Sequence, residues 1–307
     1  MGELPQFHPG QQVGRWRVDK KLGEGGFGAV YKVQGGDGSL AALKVEGSAE
    51  AIQVLKMEVL VLEELSRKGR NRHFCSILDK GRNFSINYVV MTFVGSSLQD
   101  LRKTANPPNQ FLSIGSALGA GLQCLEALED LHSIGYLHRD VKPGNYAVGR
   151  AEIGEQRKVY VLDFGMCRGF ISPRSMRKKT PRERCGFRGT VRYASMQCHD
   201  GIEMSEKDDL EQWFYQQIEL TKGVLPWRDI QDKDQVGLYK KSCRDGIRLK
   251  ELLGGCPREY VAIMQYVDGL RYYDTPNYQQ VYQLLRQAMQ SMGVHPDAPY
   301  DWERRAF

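Results

Sequence analysis

The sequence of 307 residues predicts an α+β fold, with strands concentrated in the first third of the chain and helices in the remainder. Two observations support this prediction. From Trp16 to Glu46, β-prone segments alternate with glycine-rich turns, whereas later segments repeat apolar residues at helical spacing. The character of the chain changes at Val94 and Gly95. We therefore predict a small part built on an antiparallel sheet with one helix, followed by a larger, mainly helical part.

The strands and the helix of the first part follow from local patterns. Residues 29–33 are β-prone, and the turn at residues 35–38 (GGDG) predicts a hairpin that leads into a strand over residues 40–45. Residues 49–66 repeat apolar side chains every three or four positions, which predicts a helix. The apolar run at residues 87–93 predicts one buried strand.

The second part is predicted to be helical with one hairpin. Residues 146–163 contain β-prone segments around a turn near Gly154. Four segments show the apolar spacing of helices: residues 113–132, 205–222, 258–270 and 277–291.

Composition indicates a soluble intracellular protein. Hydrophobic residues make up 41% of the chain and charged residues 26%, which supplies enough apolar material for a core. The cysteines number 7, an odd count, and no two are spaced as C-x-x-C, which argues against a disulfide framework and a structural zinc site. Neither a signal peptide nor an apolar stretch of about 18 residues is visible. We expect a cytoplasmic or nuclear protein with reduced thiols and no membrane association.

A glycine-rich segment, residues 23–30 (GEGGFGAV), follows the pattern G-x-G-x-x-G-x-V. Glycines allow backbone N–H groups to approach phosphate oxygens closely. Two other interpretations are a dinucleotide-binding turn and a plain glycine-rich turn. The dinucleotide-binding turn requires a helix directly after the glycines, and here a β-prone segment and a hairpin turn follow instead.

Lys44 ends the sequence AALK in the third predicted strand, where a buried ammonium requires an acidic partner. Glu58 is the natural partner. It lies three residues after Leu55 and four before Leu62, on or beside the inward face of the predicted helix. The alternative is that both residues are surface charges, which is the usual situation of Lys and Glu. The glycine-rich segment upstream and the helix downstream favour the buried pair.

Residues 138–145 (HRDVKPGN) and Asp163, the first residue of a DFG sequence, supply the polar groups that phosphoryl transfer requires. Asp140 is the candidate base that accepts or orients the proton of a substrate hydroxyl. Lys142 can neutralise charge on the γ-phosphate. Asn145 and Asp163 offer the oxygen ligands that Mg²⁺ prefers, and the predicted hairpin between them would bring both to one ion.

The ordered set of the glycine-rich segment, Lys44, Glu58, the 138–145 sequence and Asp163 resembles the eukaryotic protein-kinase family over nearly the whole chain. The resemblance implies a two-lobed protein-kinase fold for residues 1–307, with the small lobe in residues 1–94 and the large lobe in residues 95–307. It also implies ATP and Mg²⁺ as cofactors and proteins as substrates. The residues implied to bind the nucleotide are Leu22, Gly23, Gly25, Gly28, Val30, Ala42, Lys44, Glu58, Met91, Thr92, Val94, Leu162 and Asp163.

Within the adenine site, the resemblance implies particular contacts. Met91 would be the gatekeeper, and the Thr92 carbonyl and Val94 N–H would meet the adenine edge. Ala42 would line the ring from above, together with Leu22 or Val30. The residues implied below the ring are Ala147 and Leu162.

Finer features resemble the casein kinase I group. Residues 189–196 (GTVRYASM) are similar to the T-x-R-Y-A-S-I-N sequence of that group, and residues 208–210 and 225–227 also fit it. The group resemblance implies that Asp209 receives hydrogen bonds from the catalytic-loop backbone. Gly144 departs from the family, where this position is more often polar, which leaves the substrate preference open. Three segments look closer to the tau-tubulin kinase branch: residues 56–59, 186–190 and 232–237.

Residues 168–192 form a basic segment in which Glu183 is the one acidic residue. Positive charge beside an active site favours acidic or phosphorylated peptides, because Arg binds phosphate through paired hydrogen bonds. We hypothesise that Arg192, with Arg188 or Lys179, binds a phosphate or acidic side chain near the target hydroxyl. The alternatives are a solvated loop and a bound anion that orders the segment. Nucleic acid is a weaker candidate partner, because aromatic residues do not interleave with the charges.

A pseudokinase or nucleotide-binding scaffold is the alternative from a different functional class. It predicts the loss of Lys44, Asp140, Asn145 or Asp163, and all four are present. We therefore expect an active, monomeric protein kinase with serine or threonine as its target, although the sequence is compatible with tyrosine as well.

Overall fold

The computed structural model of the chain describes residues 6–25, 28–48, 53–82, 85–106 and 108–303. Gly26 and Phe27 of the glycine-rich segment lie outside the described residues. So do residues 49–52, where the first helix is predicted to begin.

An antiparallel sheet occupies the first third of the described chain. Its strands are β1 (Gln12–Val13), β2 (Trp16–Gly25), β3 (Gly28–Gln34), β4 (Leu40–Gly47), β5 (Ile77–Arg82) and β6 (Ile86–Thr92). Their spatial order is β1-β2-β3-β4-β6-β5. Alternate residues of β3 and β4, such as Tyr31 and Leu43, are fully buried and form a core on one side of the sheet. The predicted strands and the hairpin at residues 35–38 are confirmed.

Helix α1 (Val54–Arg67) packs against this sheet through its apolar face. Glu46 of β4 is 1% exposed and holds the start of the helix. Its carboxylate accepts hydrogen bonds from the backbone N–H of Leu55 at 2.9 Å and from Nδ2 of Asn87 in β6 at 3.1 Å. Because both oxygens of a buried carboxylate are satisfied, α1 is fixed relative to β4 at its first turn.

The rest of the described chain is mainly helical. Its helices are α2 (Leu98–Ala105), α3 (Ile114–Ser133), α4 (Met196–His199), α5 (Glu206–Lys222), α6 (Lys233–Ser242), α7 (Gly246–Leu253), α8 (Glu259–Gly269) and α9 (Tyr278–Ser291). The four predicted helices are observed as α3, α5, α8 and α9. Helix α3 packs closely on α5 at Gly121. A Cβ at this position would lie 1.8 Å from Oε1 of Gln217, so a larger residue has no room there. The predicted α+β class, with a sheet-rich first part and a mainly helical second part, is thus confirmed.

Two pairs of short strands frame the segment that carries the predicted catalytic residues. Strand β7 (Tyr136–Leu137) pairs with β10 (Arg168–Gly169), and β8 (Tyr146–Val148) pairs with β9 (Val159–Val161). Residues 138–145 therefore lie between β7 and β8, and Asp163 lies two residues after the end of β9. The β8–β9 pair is the predicted hairpin.

Two sequence expectations about cysteines and membranes can be compared with the described residues. All seven cysteines are free thiols, as expected. Among the described helices, none combines the length and apolar character needed to cross a bilayer.

Candidate active site

The catalytic-loop backbone rests on a buried carboxylate from α5. Asp209 Oδ2 accepts hydrogen bonds from the backbone N–H of His138 at 2.7 Å and from Nε2 of His132 at 2.8 Å. Asp209 Oδ1 accepts a hydrogen bond from the backbone N–H of Arg139 at 2.8 Å. Burial alone would raise the pKa of Asp209, but these hydrogen bonds and the nearby histidines lower it below its usual value. The implied structural role of Asp209 is confirmed by this geometry.

Asp140 lies at the centre of a compact polar cluster. Its Oδ2 is 2.7 Å from Nζ of Lys142 and 3.3 Å from Nδ2 of Asn145. Its Oδ1 accepts a hydrogen bond from Oγ1 of Thr190 at 2.8 Å, and Lys142 Nζ also donates to Thr190 Oγ1 at 3.0 Å. The structure therefore brings Asp140, Lys142 and Asn145 together as predicted, and adds Thr190.

Lys44 connects the sheet to the DFG segment. Its Nζ lies 2.6 Å from Oε2 of Glu58 on α1 and 3.2 Å from Oδ1 of Asp163. Glu58 is 3% exposed, so the predicted interpretation as a buried pair is correct and the surface-charge alternative is wrong. Burial opposes the charge on Lys44, but the two carboxylates outweigh it and raise the pKa of Lys44 above its usual value. The ammonium is therefore charged at neutral pH.

Asn145 and Asp163 present oxygen atoms suited to a hard divalent cation. The backbone N–H of Leu162 donates to the carbonyl of Asn145 at 2.7 Å, which holds the two segments side by side. Nδ2 of Asn145 donates to the backbone oxygen of Asp140 at 2.8 Å, so Oδ1 is the atom left for a metal. The backbone of Asp163 is left-handed, with φ of 61°. Burial alone would raise the pKa of the Asp163 carboxyl, but the charge of Lys44 outweighs burial and lowers this pKa below its usual value. The donor set fits Mg²⁺, which Asn145 and Asp163 would hold through one amide and one carboxylate oxygen.

The described glycines of the glycine-rich segment differ in what surrounds them. A Cβ at Gly28 would lie 2.1 Å from the carbonyl oxygen of Val45, so only glycine allows β3 to pass so close to β4. A Cβ at Gly23 or Gly25 would meet no protein atom within 4 Å. The described glycines thus serve two purposes, strand packing at Gly28 and open space at Gly23 and Gly25.

The residues implied to surround adenine lie at adjoining positions of the sheet and the segment that follows it. Ala42 of β4 pairs in register with Met91 of β6, and Val30 of β3 pairs with Lys44. The backbone N–H of Gly95 donates to the carbonyl of Val148 at 2.7 Å, which ties the segment after β6 to β8. The other implied nucleotide contacts differ in exposure: Leu22 is 44% exposed, and Thr92, Val94 and Leu162 are partly buried.

A cavity of about 520 Å³ adjoins the Asp140 cluster. Lys142, Arg192 and Arg228 give it positive charge, and no acidic side chain of the described residues lines it. The remaining lining residues are Gln99, Gly144, Thr190, Val191, Tyr193, Trp227, Ile230, Gln231 and Val236.

Of the three predicted substrate-binding residues, the structure places Arg192 in this cavity. Its guanidinium is held by the buried Glu219, with Nη1 3.4 Å from Oε1. Lys179 Nζ instead donates to the backbone oxygen of Gly169 at 2.6 Å, and Arg188 contacts the carbonyl of Phe187. Within the described residues, neither Lys179 nor Arg188 lines the cavity, so their substrate contacts remain predictions.

Sequence reasoning missed Thr190, Trp227 and Arg228 as parts of this site. Thr190 lies in the sequence that resembles the casein kinase I group, and that resemblance could have pointed to it. Trp227 and Arg228 reach the cavity only through tertiary folding, because they are more than 80 residues away from Asp140 in the chain.

This two-lobed arrangement, with an ion pair reaching from the sheet to a DFG aspartate, is that of a protein kinase. The protein kinase domain family matches residues 16–243, and the chain belongs to that family.

Several curated relatives are similar to nearly the whole chain. One from Dictyostelium discoideum, described as a probable serine/threonine-protein kinase, is 37% identical over 291 residues, covering 94% of this chain and 57% of the relative. The serine/threonine-protein kinase spe-6 of Caenorhabditis elegans is 34% identical over 296 residues, covering 94% of this chain and 76% of the relative. A probable casein kinase I homolog of Encephalitozoon cuniculi (strain GB-M1) is 31% identical over 291 residues, covering 93% of this chain and 92% of the relative. The chain thus spans little more than half the length of the Dictyostelium relative.

Proposed function

We propose that this chain transfers the γ-phosphate of ATP to serine or threonine hydroxyls of proteins. The observation that carries the proposal is the Asp140 cluster. Its carboxylate is within hydrogen-bond distance of Lys142 and Thr190 and adjoins an open cavity large enough for a peptide side chain. The relatives named as serine/threonine kinases support Ser or Thr over Tyr as the target.

Each polar residue has a task in this reaction. When bound, ATP supplies the phosphoryl group and Mg²⁺ neutralises phosphate charge. Lys44, oriented by Glu58, would hold phosphate oxygens, and Asn145 with Asp163 would hold the metal. Asp140 would accept or orient the proton of the substrate hydroxyl, while Lys142 would stabilise charge on the γ-phosphate.

The charge of the cavity supports a preference for acidic or already phosphorylated sites. Its charged lining residues are Lys142, Arg192 and Arg228. Glu219 orients Arg192 from the buried side, which leaves the guanidinium able to bind an anion through its other donors. Gly144 also lines the cavity, and a Cβ there would meet nothing within 4 Å, so no neighbouring side chain fills the space beside it.

Membership of the casein kinase I group is also part of the proposal. It is supported by the 189–196 sequence and by the relative from Encephalitozoon cuniculi at 31% identity. The tau-tubulin kinase branch is proposed on the sequence resemblance of residues 56–59, 186–190 and 232–237 alone.

The Asp140→Asn variant tests the catalytic assignment. Asparagine keeps the shape of the side chain but cannot accept the hydroxyl proton. We expect kcat on casein or an acidic peptide to fall by about 100-fold or more. Asp297→Asn is the matched control, because the Asp297 side chain is 91% exposed. Equal incorporation of labelled phosphate by wild type and Asp140→Asn would contradict the assignment, and ATP binding without transfer by wild type would indicate the scaffold alternative.

A further inference from the structure

Lys240 on α6 is a lysine without solvent exposure, at 0%. Burying an ammonium is costly unless its donors are satisfied. All three donors of Lys240 Nζ have acceptors: the carbonyl of Val191 at 2.8 Å, the carbonyl of Ala194 at 2.6 Å and Nε2 of His199 at 3.1 Å. The acceptors are therefore two backbone groups and an imidazole rather than a carboxylate.

Aromatic rings complete the surroundings of this ammonium. Lys240 Nζ lies 5.0 Å from the ring centroid of Tyr215 and 5.3 Å from that of Trp227. The faces of these rings attract a cation. Two carbonyls, one imidazole and two rings surround this amine, and burial lowers the pKa of Lys240 to about 7.

His199 is adapted to this arrangement. Burial and then the charge of Lys240 lower the pKa of His199 to about 4, so its ring is neutral at pH 7 and Nε2 can accept a hydrogen bond. In the described part of the chain, its buried Nδ1 has no hydrogen-bond partner. The Nε2 atom contacts Lys240, and the ring also packs against that of Phe187, with ring centroids 5.4 Å apart. Gly237 makes room for it, since a Cβ there would lie 3.0 Å from the side chain of His199.

The two residues whose carbonyls contact Lys240 flank Arg192, one of the residues that line the cavity. Val191 and Ala194 stand on either side of Arg192 and Tyr193. The carbonyl of Arg192 itself accepts a hydrogen bond from Nε1 of Trp227 at 2.8 Å. Three carbonyls of one short segment thus point to the same buried cluster, and this leaves the Arg192 side chain directed to Glu219 and the cavity.

We propose that Lys240 is a positioning residue for the protein substrate, which holds residues 191–194 in the conformation that presents Arg192 to the cavity. The inference rests on the proposed kinase function and deepens it. Lys240 lies outside the nucleotide-binding set, so its removal should weaken peptide binding without weakening ATP binding.

The Lys240→Met variant tests this, because methionine keeps the apolar stem and removes the charge and donors. We expect the KM for an acidic peptide to rise by about tenfold or more. The KM for ATP, and kcat at saturating peptide, should change by less than about twofold, a separation that general destabilisation would not produce. Lys241→Met is the matched control, since the neighbouring Lys241 is 44% exposed and pairs with Asp200. An unchanged peptide KM, or a parallel rise in both KM values, would overturn the proposal.

Two further measurements keep the inference decisive. If Lys240→Met does not fold, Trp227→Phe keeps a ring beside Lys240 but removes the hydrogen bond to Arg192. A peptide KM for this variant equal to that of wild type would then overturn the proposal, and an increase of about threefold or more supports it. Fluorescence anisotropy of a labelled acidic peptide measures binding without phosphoryl transfer. An inactive wild type that binds the peptide would contradict the proposed function alone, whereas equal peptide binding by wild type and Lys240→Met would contradict the Lys240 inference alone.

Discussion

Arg192 contacts the buried carboxylate of Glu219 and also lines the cavity beside Asp140. Glu219 is 1% exposed, and it also contacts Nη2 of Arg102 at 3.4 Å and the hydroxyl of Tyr193. Because Arg102 remains when Arg192 is removed, Glu219 does not become an unpaired buried carboxylate. A substitution at Arg192 therefore reports mainly on the cavity.

At this scale we predict that Arg192→Gln changes substrate preference. The value of kcat/KM for an acidic or phosphorylated peptide should fall by about tenfold, because a charge-assisted hydrogen bond of about 1.5–3 kcal/mol is lost. The value for a matched neutral peptide should stay within about twofold. Arg174→Gln is the control, since Arg174 is exposed. An equal decrease in kcat/KM for both peptides in steady-state assays would contradict a role of Arg192 in binding anionic groups.

The site residues differ in how far sequence could predict them. Lys44, Asp140, Asn145 and Asp163 were predictable because each falls in a short motif whose chemistry is local. Thr190 was marked only by the resemblance of residues 189–196. Lys240 was not predictable, because the contacts that define it join positions 46 and 49 residues apart. No spacing pattern marks such a contact, and a lysine within a polar helix is usually solvated.

Among the elements, the basic segment is held to the helical lobe by ion pairs and hydrogen bonds. Lys178 Nζ lies 2.9 Å from Oε2 of Glu206 and donates to the carbonyl of Asp274 at 2.7 Å. Glu203, which is 4% exposed, contacts both Arg168 at 3.3 Å and Arg182. The segment is therefore attached to the helical lobe at Arg168, Lys178 and Arg182, whereas its exposed side chains include Arg174, Arg177, Arg182 and Arg184.

We predict that Glu203→Gln lowers stability in a pH-dependent way. Burial raises the pKa of Glu203, but Arg182 and Arg168 outweigh it and hold the pKa below its usual value of 4.5. A lowered pKa in the folded state means that the carboxylate stabilises the fold above about pH 4.5, and that this contribution is lost as pH falls further. At pH 7 the variant should be less stable by about 1 kcal/mol.

Urea unfolding at pH 7, 5.5 and 4 measures this difference, with the exposed Glu152→Gln as control. The difference in the free energy of unfolding between wild type and Glu203→Gln should be smaller at pH 4 than at pH 7. A gap that is constant or widens on acidification would show that the ion pairs are not its source.

The long elements were predictable from periodicity, and the shorter ones were not. The strands β3, β4 and β6 and the helices α3, α5, α8 and α9 repeat apolar residues clearly. Helices α6 and α7 were missed because their buried positions are few and one of them is Lys240. Helix α4 has 4 residues, which is too short for a periodic signal. Strand β5 was missed because it has no apolar run, and only partly buried residues alternate with exposed ones along it.

On the scale of the whole molecule, the connection from α1 to β5 joins the sheet to the helical part. Arg72 in this connection contacts three carboxylates of α3: Asp130 at 2.6 Å, Glu126 at 3.7 Å and Glu129 at 3.9 Å. His73 follows it, with Nδ1 2.8 Å from the carbonyl of Val159 and Nε2 3.0 Å from Glu126. The small lobe is thus attached at this loop as well as at the segment after β6.

We predict that Arg72→Gln destabilises the protein without changing catalysis at 25 °C. Asp130 is 1% exposed and would lose its closest partner, although Arg70 remains at 3.5 Å. The free energy of unfolding should fall by about 1–2 kcal/mol. Arg67→Gln, at a site 66% exposed, is the control. Thermal and urea unfolding measure the change, and a stability equal to wild type would show that the contacts of Arg72 are exchangeable with water.

The attachment of α1 to β4 through Glu46 has a consequence for inhibitors. A compound that occupies the proposed nucleotide site and displaces α1 must break the Lys44–Glu58 ion pair and also the hydrogen bond from Leu55 to Glu46. The second break leaves a buried carboxylate short of a donor, at a cost of about 1–3 kcal/mol. Compounds that leave α1 in place avoid this cost. Inhibitors that bind with α1 in its observed position should therefore bind more tightly than inhibitors that displace α1. The Glu46→Gln variant should reduce this difference in affinity.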